Sequence, residues 1–166
     1  KEPRMLNSYD PTTTIEGLDE AYNALMDAAR TLRDAFFIEA KAQLDGSLTH
    51  VPIVISIRKN PGNSTSINWS RMLVSKGASK GAAKPFPRVI PRKAGKGNRV
   101  YHYPVDQFRF LTPNLRRLVL GYEAKLAAIR EHSSALLEER RRILALAARI
   151  DNVLEQCEDI KNRVTL

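Results

Sequence analysis

VPIVISIRKNPGNSTSINWSRMLV, residues 51–74, reads with a period of two. Val51, Ile53, Ile55 and Ile57 alternate with Pro52, Val54, Ser56 and Arg58, the pattern of a strand with one buried face. Asn60-Pro61-Gly62-Asn63 puts proline and glycine where a type II turn needs them. Ile67–Val74 then reads as the returning strand. The stretch is a β-hairpin with a loop of six to eight residues.

On both sides of the hairpin the period lengthens to that of a helix. Upstream, Ile15, Leu18, Tyr22, Leu25, Ala29, Leu32 and Phe36 are spaced by three and four. Asp10-Pro11 opens this helix, Thr13 and Glu16 stand at capping-box spacing, and Gly46 is the stop. The spacing predicts a helix over 12–45. Downstream, Thr112 caps a second helix over 113–163, with Leu115, Leu118, Tyr122, Leu126, Ile129, Leu136, Ile143, Ile150, Leu154 and Cys157 in step. At 1.5 Å per residue the two helices would be roughly 50 and 75 Å long. The expected fold is α+β: two long antiparallel helices, a helical hairpin or coiled-coil stalk, flanking a small antiparallel sheet. One domain over 1–166 is expected, with residues 51–103 as its basic sheet insertion.

Residues 75–99 resist the helical reading. Lys76, Lys80, Lys84, Arg88, Arg92 and Lys96 recur every four residues, but Gly77, Gly81, Pro85, Pro87 and Pro91 exclude a helix. An extended chain is expected, with 86–92 docked as an edge strand, where proline is tolerated. Arg99–Tyr103 reads as one more short strand.

Charge narrows the function. The 166 residues carry 27 Lys+Arg against 18 Asp+Glu, a net +9. Residues 51–117 hold fourteen Lys/Arg and one acid, Asp106, while residues 1–50 are net negative and 118–166 neutral. One block of one sign points to a polyanion, nucleic acid before membrane. No stretch approaches the roughly 20 apolar residues of a spanning helix. The start shows no signal-peptide pattern, so a soluble protein of the bacterial cytoplasm is expected.

Catalytic patterns are missing. His50, His102 and His132 fall in three different elements, and the single Cys157, in a helical stripe, reads as packing. A nuclease needs clustered carboxylates, and the glycines among the lysines do not form a phosphate-binding loop. Tyr101-His102-Tyr103 reads as packing too. No enzyme, no cofactor and no metal are expected.

A two-stranded ribbon fits a DNA major groove, and Asn68 and Arg71 on the second strand are types that read adenine and guanine. Trp69 either stacks on a base or packs in the core. Arg58, Lys59, Lys76, Lys80, Lys84, Arg88, Arg92, Lys93, Lys96 and Arg99 suit phosphates, which give affinity and register but not sequence. RNA stays open, because Tyr101 and Tyr103 are candidate stacking aromatics.

The strand with Ile67-Asn68-Trp69, the basic run ending in Tyr101-His102-Tyr103 and a long helix with Leu126-Ala127-Ala128-Ile129-Arg130-Glu131 together resemble the MobI-like auxiliary mobilisation proteins of conjugative elements. The resemblance implies a non-catalytic protein that binds duplex DNA at a transfer origin and helps a separate relaxase or other relaxosome protein. It favours Asn68, Trp69 and the basic run as functional. Two alternatives are a coiled-coil adaptor with a basic tip for an acidic partner, and an RNA-binding protein. The stripe Ile143, Leu146, Ile150, Val153, Cys157, Ile160 and Val164 outreaches the first helix, so a homodimer is expected. The competing cover for it is Met5, Leu6 and Tyr9 folding back.

Overall fold

A computed structural model describes residues 9–44, 50–74, 84–92 and 100–164. Its elements run α1 (Thr12–Ala42), β1 (Ile53–Lys59), β2 (Thr65–Leu73), β3 (Phe86–Val89), a 3-10 turn (Val105–Phe108) and α2 (Pro113–Val164). The fold is α+β, two helices with a three-stranded antiparallel sheet in the order β1-β2-β3. No helix among the described residues is long and apolar enough to cross a membrane.

The period-two stretch forms the hairpin. Ile55 pairs with Trp69 and Ile57 with Ile67, which sets the apolar residues of both strands on one face. Pairing continues to Lys59↔Thr65, so the loop spans only 60–64, shorter than the six to eight residues expected. Asn60 closes it. Its backbone N–H donates to the Ser64 carbonyl at 3.0 Å and its amide to the Ser66 hydroxyl at 2.8 Å. Gly62 takes φ 89°, the left-handed region that the glycine of the turn was expected to supply.

β3 is the edge strand. It pairs with β2 from Ser70↔Val89 to Leu73↔Phe86 and carries Pro87, and it ends before the expected residue 92. The short strand expected over Arg99–Tyr103 is corrected. Among the described residues 100–103 no strand forms, because side chains take the backbone groups a strand would pair: Arg130 donates to the Tyr101 carbonyl, and the Tyr103 N–H donates to Glu123.

Both helices start where expected, at Thr12 and Pro113. Asp10, not Thr13, caps α1: its carboxylate accepts the Thr12 N–H at 3.0 Å, and the first helical bond runs from Ile15 N–H to the Pro11 carbonyl. The helix ends at Ala42, three residues short of 45, and Gln43 and Leu44 close it with tighter bonds to Ala40 and Lys41. The first bond of α2 ends on the Thr112 carbonyl. The expected stop at Gly46 lies outside the described residues.

The described chain divides into two compact units. One is Ala24–Ser133, whose core holds Met26, Ala29, Phe36 and Ala40 of α1, Ile53, Ile55, Ile67 and Trp69 of the sheet, and Leu115, Val119, Leu126 and Ala127 of α2. Phe36 meets Trp69 edge to face at 4.9 Å and Tyr122 at 5.3 Å, and Phe108 meets Trp69 at 5.8 Å. Burying each such ring contributes roughly 1.5–3 kcal/mol. The other unit joins the start of α1, to Asn23, with α2 from Ser134. In it Ile15 and Ala147 are buried and Arg140 pairs with Asp19 at 2.9 Å. Leu146, Val153, Ile160 and Val164 are 42–57% exposed there. Cys157, expected to pack, is exposed as well, since no described residue covers that face.

Candidate nucleic-acid interface

The lone tryptophan anchors the site. Trp69 is fully buried, and its indole N–H donates to Glu123 Oε1 at 3.0 Å. The other Glu123 oxygen accepts the Tyr103 backbone N–H at 2.8 Å. Arg130 completes the pair: its Nη1 donates to Glu123 at 2.8 Å and to the Tyr101 carbonyl at 2.7 Å, and its Nε to the Ile67 carbonyl at 2.8 Å. Both charged side chains are about 5% exposed. Burial lowers the Arg130 guanidinium from its ordinary value, against the opposing pull of the Glu123 carboxylate.

This network holds the outer edge of β2 where β3 no longer covers it. The Tyr103 hydroxyl donates to the Ile90 carbonyl at 2.6 Å and accepts the Trp69 backbone N–H at 3.3 Å. Burial, the largest influence, pushes its phenol above the ordinary value. Asn68 lies 3.3 Å from the same hydroxyl, and Arg92 reaches the Ile67 carbonyl at 3.4 Å. Both guanidiniums stand over the Tyr103 ring, Arg130 at 5.2 Å and Arg92 at 5.9 Å.

The sequence-assigned residues separate in three directions. Trp69 is corrected: with no exposed surface it is a core residue, and its ring offers no platform to a base. Arg71 and Arg88 face each other across β2 and β3, both exposed, with Arg71 lying 4.3 Å from the Phe110 ring centroid. Lys84, also exposed, precedes β3 by two residues. Arg58 and Lys59 are exposed at the other end of the sheet, beside the hairpin turn. Lys76, Lys80, Lys93, Lys96 and Arg99 lie outside the described residues. None of the described ion pairs involves Arg58, Lys59, Arg71, Lys84 or Arg88. Like charges directly opposite on a sheet destabilise it. Arg71 opposite Arg88 is therefore an arrangement that an anion would relieve.

Sequence reasoning missed Glu123 and Arg130. Their signal was present: two opposite charges seven residues apart lie on one face of a helix, here the face of Leu115, Val119 and Leu126. Polar side chains on an apolar stripe demand partners, and a lone tryptophan with an N–H to satisfy is one.

Among models of known families, the chain matches the one described as MobI protein over residues 25–144. No curated protein and no solved structure matches. The matched span takes in all three strands, the Trp69–Glu123–Arg130 network and every exposed cation of the described sheet. It covers more than half of the chain, well beyond the short motifs that carried the resemblance, and so the chain belongs to the MobI family.

Proposed function

We propose that this chain is a non-catalytic DNA-binding protein that recognises a transfer origin and assists a relaxase in starting conjugative transfer. The family match supports a role in mobilisation. The observation that carries the DNA reading is the sheet itself. It lies in the segment with fourteen Lys/Arg and one acid, and its exposed arginines oppose one another rather than a carboxylate. Such a surface suits a phosphate backbone, and a two-stranded ribbon can carry base contacts as well.

The same reading takes α1 and α2 as an antiparallel hairpin flanking the sheet. In support, within the unit Ala24–Ser133, Glu39, late in α1, bonds Tyr122, early in α2. It also takes the exposed stripe of Leu146, Val153, Ile160 and Val164 as the seam of a homodimer, in a spacing of sevens and alternating threes and fours with Ile150 and Cys157.

A competition gel tests the function. Labelled duplex carrying the element's transfer origin is challenged with the same duplex, with unrelated duplex and with structured RNA. The transfer-origin duplex should compete at least tenfold better than either. Equal competition by unrelated duplex removes the recognition claim, and stronger competition by RNA, or no complex at all, removes the DNA reading.

A further inference from the structure

β3 pairs with β2 as far as Ser70 and the Ile90 N–H still donates to the Trp69 carbonyl at 2.8 Å, so among the described residues it is beyond that bond, at the Ile67 carbonyl, that side chains stand in place of a strand. Two of them are guanidiniums. Arg130 at 2.8 Å and Arg92 at 3.4 Å donate to one acceptor, the Ile67 carbonyl, and both face the Tyr103 ring. Among the described residues only one carboxylate, Glu123, is hydrogen-bonded into this cluster, and its oxygens already accept from Trp69, Tyr103 and Arg130. A positive charge is left over in a place screened less than open surface.

One nitrogen sharpens the point. Arg130 Nη2 is buried and has no hydrogen-bond partner among the described residues. An unsatisfied buried donor costs roughly 1–3 kcal/mol, and native structures rarely keep one without a reason. Arg92 is half-buried, and its 3.4 Å bond is long, so little is lost when it turns to a better acceptor. Asn68 adds a neutral amide at the same edge. In sequence Arg92 opens the run RKAGKGNR, residues 92–99.

We propose that Arg92 and Arg130, at the open edge of β2, form a seat for a single phosphate group of the DNA backbone. Arg92 makes the outer contact and the unpartnered Arg130 Nη2 the inner one. Planar guanidiniums suit a phosphate because they present paired N–H groups to its oxygens. The inference rests on the DNA reading above and narrows it to one phosphate contact, separate from the exposed Arg71 and Arg88.

Trp69, the one tryptophan, is the reporter, because its indole N–H bonds the carboxylate that Arg130 pairs with. Inorganic phosphate is titrated into the full chain at fixed ionic strength, with chloride as control, while the indole signal is followed by nitrogen–proton NMR. The wild type should show a saturable shift with phosphate and none with chloride, and Arg92→Gln should abolish it. For duplex DNA, Arg92→Gln should lower the slope of log affinity against log salt by about 0.9, one phosphate contact. No saturable shift in the wild type overturns the site, even where duplex still binds. Phosphate binding with an unchanged duplex slope in Arg92→Gln overturns the backbone assignment and leaves a seat for free or terminal phosphate. Failure of the wild type to bind duplex, with the phosphate shift intact, refutes the DNA reading rather than the anion seat. Should Arg92→Gln melt early, the wild-type titration decides alone.

Discussion

Replacing Arg130 with methionine keeps an apolar stem in the core and removes the cation. Glu123 is left about 5% exposed, still accepting from the Trp69 indole and the Tyr103 N–H but without its hydrogen-bonded cation. The Tyr101 carbonyl loses its 2.7 Å donor, and the Ile67 carbonyl keeps only the long bond from Arg92. Breaking a buried pair on one side costs about 3–5 kcal/mol, most of it from the stranded charge. For a chain of this size that corresponds to a fall in Tm of roughly 6–20 °C. Urea unfolding followed by Trp69 emission measures it directly, because the only tryptophan sits on the affected carboxylate. Adding Glu123→Gln to Arg130→Met removes the stranded charge while keeping an acceptor for the indole. The double variant should therefore be more stable than Arg130→Met alone, with a coupling energy of about 2 kcal/mol or more. A loss below about 1 kcal/mol in the single variant, or strict additivity in the double, would refute the network as the element that fixes β2 on α2.

Gly62→Ala meets open space but keeps a φ of 89°, so the turn should lose about 1 kcal/mol by urea unfolding, and an unchanged midpoint would show that the turn relaxes. Burial, then the bond to Glu39, lifts the Tyr122 phenol to about 12 from its ordinary 10.0. The folded state therefore holds that proton more tightly: the stabilisation is complete below pH 10 and fades as pH rises toward 12. The difference in phenolate absorbance between wild type and Tyr122→Phe should have its midpoint near 12, and a midpoint at 10.0 contradicts the contact. Val153→Glu with Ile160→Glu should turn a sedimenting dimer into a monomer and speed thiol labelling of Cys157, whereas a wild type already monomeric at tens of micromolar removes the dimer.

The sequence exposed whatever rests on period and turn chemistry. Ile53, Ile55 and Ile57 could only be a half-buried strand, and Asn60-Pro61-Gly62 only a turn, so the hairpin and both long helices were legible. Legibility failed where side chains substitute for backbone pairing. Tyr101-His102-Tyr103 alternates like a strand, yet its backbone groups bond Arg130 and Glu123, which arrive from a helix 29 and 20 residues further on. Periodicity carries no information about such distant partners. Trp69 shows the same limit from the other side. Its place on a basic hairpin suggested a base contact, and its alternation with Ile67 already placed it on the core face. The basic residues were visible as a block, but only strand register reveals that Arg71 stands opposite Arg88 while Arg58 and Lys59 occupy the far end.

The most direct test of the account is the salt dependence of duplex binding, compared between wild type and a variant carrying Arg71→Gln, Lys84→Gln and Arg88→Gln. The wild type should lose affinity steeply as salt rises. Removing three phosphate contacts should lower the slope of log affinity against log salt by about 2.7 while leaving the fold and melting temperature in place. A wild-type affinity indifferent to salt, or a slope that the three substitutions leave unchanged, would contradict the claim that this end of the sheet is the DNA-binding surface.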